Sequence, residues 1–317
     1  DWQGIARTSA DWSALAKRAE IVFFDKAIGG EDDVAATLQD FDILLTMRER
    51  TPFPASLVRR LPRLKMLGMT GMRAPSIDIG ALRAQGVTVC CTSGGANGAN
   101  TSEITLGLMI AAVRGIPAGD AAIRAGHFQE GTAPGFELDG KTLGIIGLGR
   151  LGARMARYGV ALGMRVIAWS QNLTAEKAKA QGATLVSKDE LMSTADVVTL
   201  HLVLSDRTRG IIGAADLKRM KQGAVIVNTS RGPVIDEAAL IAALRSGRII
   251  GALDVFDREP LPAGHPFRTI PNLVMTPHVG YGSIETFRDF YVQSVENALA
   301  FLDGKPMRLA PEPSKAA

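Results

Sequence analysis

Three polar clusters, each directly after a short apolar run, hold the residues best able to do chemistry. VIVNTSRGPVID carries Arg231, GALDVFDREPLP carries Asp254 and Glu259, and LVMTPHVGYG carries His278 on a proline-stiffened turn. Arginine fixes an anionic carboxylate by paired hydrogen bonds. Histidine exchanges a proton with an alcohol or carbonyl oxygen near neutral pH. A glutamate beside it favours the imidazolium and orients the ring. Together they make a proton-transfer device for an anionic substrate. A fourth stretch, KTLGIIGLGRLGARMARYGVALGMRVIAW, holds Gly147-x-Gly149-x-x-Gly152, with Arg150 and Leu151 inside the turn. Gly147 permits a tight turn, Gly149 lets a pyrophosphate approach the N-terminus of the next helix, and Gly152 lets helix and strand pack closely. The spacing alone is weak, but strand, helix and second strand around it make a dinucleotide fingerprint.

The elements that must position these groups follow a βαβ rhythm, which implies a parallel sheet covered on both faces. A first series gives strands EIVFFD (20–25), DILLTM (42–47), LKMLGM (64–69) and VTVCC (87–91), with helical patterns such as EDDVAATLQD and ASLVRRLP between them. After the loop GGANGAN, TSEITLGLMIAAVRGIP is predicted to form a long apolar helix opened by a capping box at Thr101 or Ser102. From Lys141 a second series gives TLGIIG, RVIAW, ATLVS, VVTLHL, AVIVN, GALDV and LVMTP. The three polar clusters fall at the C-terminal ends of these strands, where open α/β sheets bind ligands. A last helix (283–304) returns to the first series. The predicted architecture is α/β, with two Rossmann-like doubly wound domains. The substrate domain is built from both chain ends, 1–97 and 282–317, around an NAD(P)-binding domain, 98–281. The chain opens at Asp1 in a turn-like DWQG, whereas an α/β domain opens with a strand, so a first strand ahead of Asp1 is expected. The tail PEPSKAA is expected to fray.

The 317 residues suffice for two domains of roughly 150 each. With 46% hydrophobic and 21% charged residues, the chain can build a core without disulfides or a structural metal. A net charge of +4 without a dense Lys/Arg run makes no case for nucleic acid. The longest apolar run, ITLGLMIAAV, is too short to span a bilayer, and no signal peptide is seen, so a cytoplasmic protein without membrane partners is expected. The adjacent Cys90 and Cys91 read as buried packing residues in a reducing compartment, and no metal site is expected. His201, ending VVTLHL, reads as lining the cofactor cleft by packing, and His127 and His265 as surface or cap residues. Arg48 and Arg50 in TMRERTP stay open between solvation and substrate contact.

The stretches GKTLGIIGLGRLG, HLVLSDRTRGIIG, VNTSRGPVIDEAAL, GALDVFDREPLP and NLVMTPHVG together resemble the D-isomer-specific 2-hydroxyacid dehydrogenases, and the likeness covers nearly the whole chain. It implies an NAD(P)-dependent oxidoreductase that interconverts a small 2-oxoacid and its D-2-hydroxy acid, with Arg231, Glu259 and His278 as catalytic residues. It further implies that Asp254 holds the nicotinamide carboxamide side and that Thr101 and Thr229 join His201 in the cofactor site. Helix 101–114 resembles the arm through which the family forms homodimers. GMTGMRAPSID resembles the loop whose backbone N–H groups bind the substrate carboxylate, which makes Met72 and Arg73 substrate-binding candidates beside Arg231 and His278. Arg73 stands where the usual pattern has a second glycine, a departure that bears on substrate preference. The substrate is expected in a cleft between the domains, whose closure would exclude water. Two other readings share the scaffold. A phosphite dehydrogenase could use the same trio, while a formate enzyme would lack the glutamate partner. A corepressor-like NAD(H) sensor would carry extra interaction segments.

The second strand of the fingerprint, VIAWSQNLT, ends in Ser170, Gln171 and Asn172. NAD sites usually place Asp or Glu there to grip the adenine ribose. Ser170 removes the repulsion of a 2′-phosphate, so the cofactor is read as NAD or NADP, leaning to dual use or NADP. Against this, no arginine lies between Ser170 and Lys177.

Overall fold

Runs of apolar residues bounded by turns become parallel strands. In the computed structural model, which describes residues 1–72, 74–93 and 98–311, the chain divides into two compact units. The first comprises Asp1–Asn97 and Gly282–Ala317, the second Gly98–Tyr281. In the first unit, Ile43–Thr46 (β1), Met66–Met69 (β2) and Thr88–Cys91 (β3) form a parallel sheet in the order β1-β2-β3. Met66–Met69 is buried at every position, as a central parallel strand must be. Leu309 bridges Cys90 antiparallel on the outer side of β3. Helix Ile284–Leu302 returns from the second unit's end of the chain and packs on β2.

EIVFFD does not form the strand expected of it. A strand needs a neighbour for its N–H and C=O groups. Among the described residues, the backbone of 21–24 gains one hydrogen bond, from the Asp1 ammonium to Phe24 O at 2.6 Å. Side chains hold the segment instead: Phe23 meets Trp12 edge-on at 5.0 Å, and Phe24 meets Phe41 at 5.8 Å.

The second unit carries Thr142–Ile146 (β4), Arg165–Trp169 (β5), Thr184–Leu185 (β6), Val197–Leu200 (β7), Val225–Asn228 (β8), Ile250–Leu253 (β9) and Leu273–Met275 (β10). All pairings are parallel, in the order β10-β9-β8-β7-β4-β5-β6. Chain order reverses between β4 and β7, and the crevice outside that point is where such sheets bind ligands. β4, β7 and β8 are buried at every position, so helices cover both faces. Helix Arg150–Ala161 lies close on β4 because Gly159 has no Cβ, which would come 2.7 Å from Leu143.

Helix Ala99–Arg114 departs from its expected start. It begins two residues before Thr101, behind Gly98 in the left-handed region (φ 59°), with no side-chain cap. Ser102 and Thr105 instead turn their hydroxyls back to the carbonyls of Gly98 and Thr101. Inside a helix a hydroxyl four residues on reaches a carbonyl, so the capping pattern is satisfied by back-bonding. Among the described residues no single helix is long and apolar enough to cross a membrane. Ala99–Arg114 and Ile116–Arg124 pass that test only together, across a 65° bend.

Candidate active site

The glycine turn after β4 is shaped by contacts that leave no room for side chains. Gly147 has φ 98°, and a Cβ there would sit 2.6 Å from His201 O. A Cβ on Gly152 would sit 2.2 Å from Gly147 O. Gly149 faces open space, with nothing within 4 Å of its Cβ position. It is the N-cap of helix Arg150–Ala161, and neither a side-chain cap nor an acid occupies that first turn. The first-turn N–H groups and the positive end of the helix dipole therefore face an open space that suits an anion. Gly98 abuts the same turn, its Cβ position 3.0 Å from Leu151 Cδ2 and 3.3 Å from Arg150 Cζ.

Across the crevice, His201 directly follows β7. Both its ring nitrogens, and Thr199 Oγ1 two residues earlier on the same face, are shut off from solvent with no hydrogen-bond partner among the described residues. Burial holds the imidazole neutral, lowering its pKa to about 4. Pure packing, the expectation from sequence, does not account for buried nitrogens left without partners. At the end of β5, Ser170 is half-buried and Gln171 and Asn172 are exposed, and Leu173 N closes the turn on Ser170 O at 3.1 Å.

The three polar clusters meet through short loops. After β8, Asn228 accepts from Ser230 N and Oγ and donates to Arg231 O, fixing the turn. Arg231 Nη1 donates to Ser230 O at 2.7 Å, and Thr229 Oγ1 lies 2.7 Å from Thr105 Oγ1. Gly232 presses against the next loop, its Cβ position 2.2 Å from Phe256 C. In that loop, Glu259 Oε1 accepts from Phe256 N at 2.9 Å, while Oε2 meets His278 Nδ1 at 2.5 Å. Glu259 thus engages Nδ1 of the ring rather than Nε2. Burial pushes the Glu259 carboxyl upward, but the His278 hydrogen bond and charge, with Arg231 nearby, outweigh it and hold the pKa below the ordinary value. His278 itself has φ 52°, a left-handed backbone that a non-glycine residue adopts only when held.

Asp254 holds it. This carboxylate is 1% exposed and accepts from Thr276 Oγ1 (2.6 Å), Val279 N (2.9 Å) and Gly280 N (2.8 Å), all in the turn around His278. Burial raises its pKa despite these bonds. The family resemblance implies that Asp254 holds the nicotinamide carboxamide side. In the structure its partners among the described residues are those of the His278 turn. Thr101 stands beside this turn, its Cγ2 3.6 Å from the Cβ position of Gly280.

In the first unit, Met72 is 51% exposed just after β2, and its sulfur lies 3.6 Å from Cys91 Sγ. Arg73 lies outside the described residues. Arg48 has φ 51° and spreads its guanidinium over Gly71, 2.1 Å from where a Cβ would be, with Nη1 on Thr70 O. Its nearness to the Gly71–Met72 turn was not legible in sequence, because a left-handed arginine has no sequence signature. Arg50 bonds Gln3 and stacks over Trp2. His127 is exposed, and His265 caps the turn Pro266–Thr269 and meets Glu237 at 3.2 Å. Among the described residues no cluster of His, Cys, Asp and Glu is placed to hold a metal.

Residues 106–280 match the model of the D-isomer specific 2-hydroxyacid dehydrogenase NAD binding domain. The chain belongs to this family. It is 39% identical over 257 residues to the glyoxylate reductase of Aeropyrum pernix, covering 78% of this chain and 76% of that protein. It is 35% identical over 267 residues to the D-3-phosphoglycerate dehydrogenase of Archaeoglobus fulgidus, covering 84% of this chain and 50% of that protein. The chain thus spans about half the length of the phosphoglycerate dehydrogenases it matches. A phosphoglycerate oxidoreductase structure from Vibrio cholerae superposes with TM-score 0.90 at 32% identity, covering 96% of this chain and 97% of that one. A glyoxylate reductase from Paecilomyes thermophila gives TM-score 0.73 at 33% identity, covering 96% and 95%.

The family's cofactor is NAD, and the residues present fit it. Gly149 leaves a cradle open before a helix N-terminus, and the unpartnered nitrogens of His201 border the same switch point.

Buried neutral His201 sets a pH dependence. Unfolded, its imidazole binds a proton below 6.5, whereas folded it does so only below about 4. Stability therefore falls as pH drops through this window, by up to about 3 kcal/mol at roughly 1.4 kcal/mol per pH unit. Urea unfolding at pH 7 and pH 4.5 should show a smaller acid loss for His201→Asn than for the parent chain. Equal losses would mean the ring is not buried neutral.

Proposed function

We propose that this chain is an NAD(P)-dependent oxidoreductase interconverting a small 2-oxoacid and its D-2-hydroxy acid. The observation that carries this reading is the 2.5 Å contact between Glu259 Oε2 and His278 Nδ1, beside the Arg231 turn at the same sheet edge as the glycine turn. Gly147, Gly149 and Gly152 hold the pyrophosphate, Arg150 and Leu151 flank it, and Thr101, Thr229 and His201 border the rest of the dinucleotide. Bound there, the nicotinamide supplies a hydride to the keto carbon, or takes it back. The chain manages the remaining charge. Arg231 binds the substrate carboxylate and polarises the keto oxygen. His278 Nε2 delivers the proton that this oxygen takes up, and in the reverse direction removes it. Glu259 keeps Nδ1 protonated and steadies the imidazolium.

The carboxylate at Glu259 also argues for proton transfer over a formate-type reaction, which needs no acid of this kind. The family membership and the 2-oxoacid relatives support the substrate class, and turnover of NADH and NADPH against glyoxylate, hydroxypyruvate, pyruvate and bulkier 2-oxoacids tests it. Loss of every activity across that panel would favour a binding protein.

A homodimer is the proposed assembly. Helix Ile116–Arg124 buries none of its residues and leaves Ile116 53% and Ile123 54% exposed. An apolar face of this kind asks for a partner. Sedimentation should give a dimer that Ile123→Glu converts to monomer, and a parent chain that sediments as a monomer refutes it.

His278→Gln should lower kcat by several orders of magnitude while NADH affinity, measured by fluorescence titration, changes little, because only proton transfer is lost. Near-normal turnover at neutral pH would remove His278 from the chemistry.

Glu259→Gln should move the pH profile of kcat/KM for oxoacid reduction to lower pH. A carboxylate at hydrogen-bond distance favours the charged form of an imidazole, and a neutral amide does not. An unmoved profile would make Glu259 structural.

Ser170 leaves the adenine ribose site without the acid that would repel a 2′-phosphate, which supports dual use or NADP preference. Ser170→Asp should weaken NADPH binding by calorimetry, and kcat/KM with NADPH, far more than with NADH. A parent enzyme that already prefers NADH by about a hundredfold, roughly 2.7 kcal/mol, would sink this reading.

A further inference from the structure

The loop that carries Glu259 runs between β9 and β10 and is tied down at few points. Among the described residues, hydrogen bonds and ion pairs leave the segment 256–270 at two places. One is the contact of Glu259 with His278. The other joins His265 Nε2 to Glu237 Oε1 at 3.2 Å, at the first residue of helix Glu237–Arg245. The segment's remaining bonds close on itself, as where Arg268 Nε and Nη2 donate to Pro262 O and Leu261 O.

Contacts lead inward from the second tie to the carboxylate. His265 Nδ1 accepts from Phe267 N at 3.3 Å, so a neutral ring carries its proton on Nε2 and donates it to Glu237. The same ring lies 4.8 Å from that of Phe267. Phe267 is buried, with its ring 6.2 Å from that of Phe256, and Phe256 N holds Glu259 Oε1 at 2.9 Å. In a close-packed interior a shift at one end of such a line is passed to the other. A partly exposed ion pair adds little to global stability. Misplacing a reacting group by about 1 Å, by contrast, can cost roughly a hundredfold in rate. The tie is therefore felt in geometry more than in folding.

We propose that Glu237 and His265 are positioning residues for Glu259. Their bond fixes the loop on helix Glu237–Arg245 and so sets where the Glu259 carboxylate meets His278 Nδ1. The inference rests on the proton-transfer role proposed above for Glu259 and His278.

Three variants of the full chain test it. Glu237→Ala and His265→Asn cut the tie, and asparagine keeps a cap for the turn Pro266–Thr269. Glu237→Gln removes the charge but keeps an acceptor for Nε2, which separates position from charge in a cluster that also holds Asp236, Asp257 and Arg209. Both cutting variants should lower kcat for oxoacid reduction about tenfold or more and leave NADH affinity unchanged. Both should also move the ¹⁵N signal of His278 Nδ1 part of the way toward its place in Glu259→Gln. Glu237→Gln should stay close to the parent chain in each respect. Added to Glu259→Gln, Glu237→Ala should move the signal no further. A signal unmoved by both cutting variants would overturn the proposal, whatever their thermal midpoints. So would a Glu237→Gln that behaves as Glu237→Ala, because charge and not position would then be at work. So would additive effects of Glu237→Ala and Glu259→Gln, because the tie would then act by another route. A parent chain that turns over no oxoacid sinks the proposed reaction instead, and the Nδ1 signal still decides the tie.

Discussion

The candidate site rests on a backbone that would not hold its shape alone. His278 lies in the left-handed region, which costs a non-glycine residue on the order of 1–3 kcal/mol. The Asp254 carboxylate keeps it there by taking hydrogen bonds from Thr276, Val279 and Gly280 on both sides of the histidine. Burying a carboxylate is itself unfavourable, and its raised pKa records that cost. The result is an imidazole whose position follows from the fold and whose Nδ1 lands on Glu259.

A second constraint ties Arg231 to this pair. Gly232 rests directly on the Phe256–Asp257 peptide, and Phe256 N anchors the other oxygen of Glu259. The arginine turn and the glutamate loop therefore cannot shift independently. Neighbouring strands β8, β9 and β10 deliver the three clusters side by side, so the geometry of the candidate site is inherited from strand order. The dinucleotide turn follows the same logic, since Gly147 and Gly152 are compelled by backbone contacts while Gly149 is left open for a ligand.

Much of this was legible in the sequence, and the exceptions have physical reasons. The strands of the second unit announced themselves as short, mostly apolar runs ended by turn-forming or polar residues, such as Gly147 after β4, Ser170 after β5 and Pro277 after β10. EIVFFD had the same composition and failed, because composition signals a strand but only a neighbour makes one. The capping box at Thr101 or Ser102 misled because the hydroxyls of Ser102 and Thr105 bond backward inside a helix already started behind Gly98. The pairing of Glu259 with His278 was readable from residue type at adjacent strand ends. The work of Asp254 was not, since three hydrogen bonds to a turn leave no trace in spacing. Nor were the partnerless nitrogens of His201 or the left-handed Arg48, which depend on how elements pack.

In the proposed reaction, Glu259 fixes the Nδ1 proton of His278 so that Nε2 meets the substrate. Imidazole ¹⁵N NMR of the histidine-labelled chain, assigned with His278→Gln, tests this directly. Through a titration across neutral pH, Nδ1 of His278 should keep its proton while Nε2 alone gains and loses one. In Glu259→Ala that preference should disappear. A neutral His278 protonated at Nε2 in the parent chain, or the same tautomer balance with and without Glu259, would contradict the account.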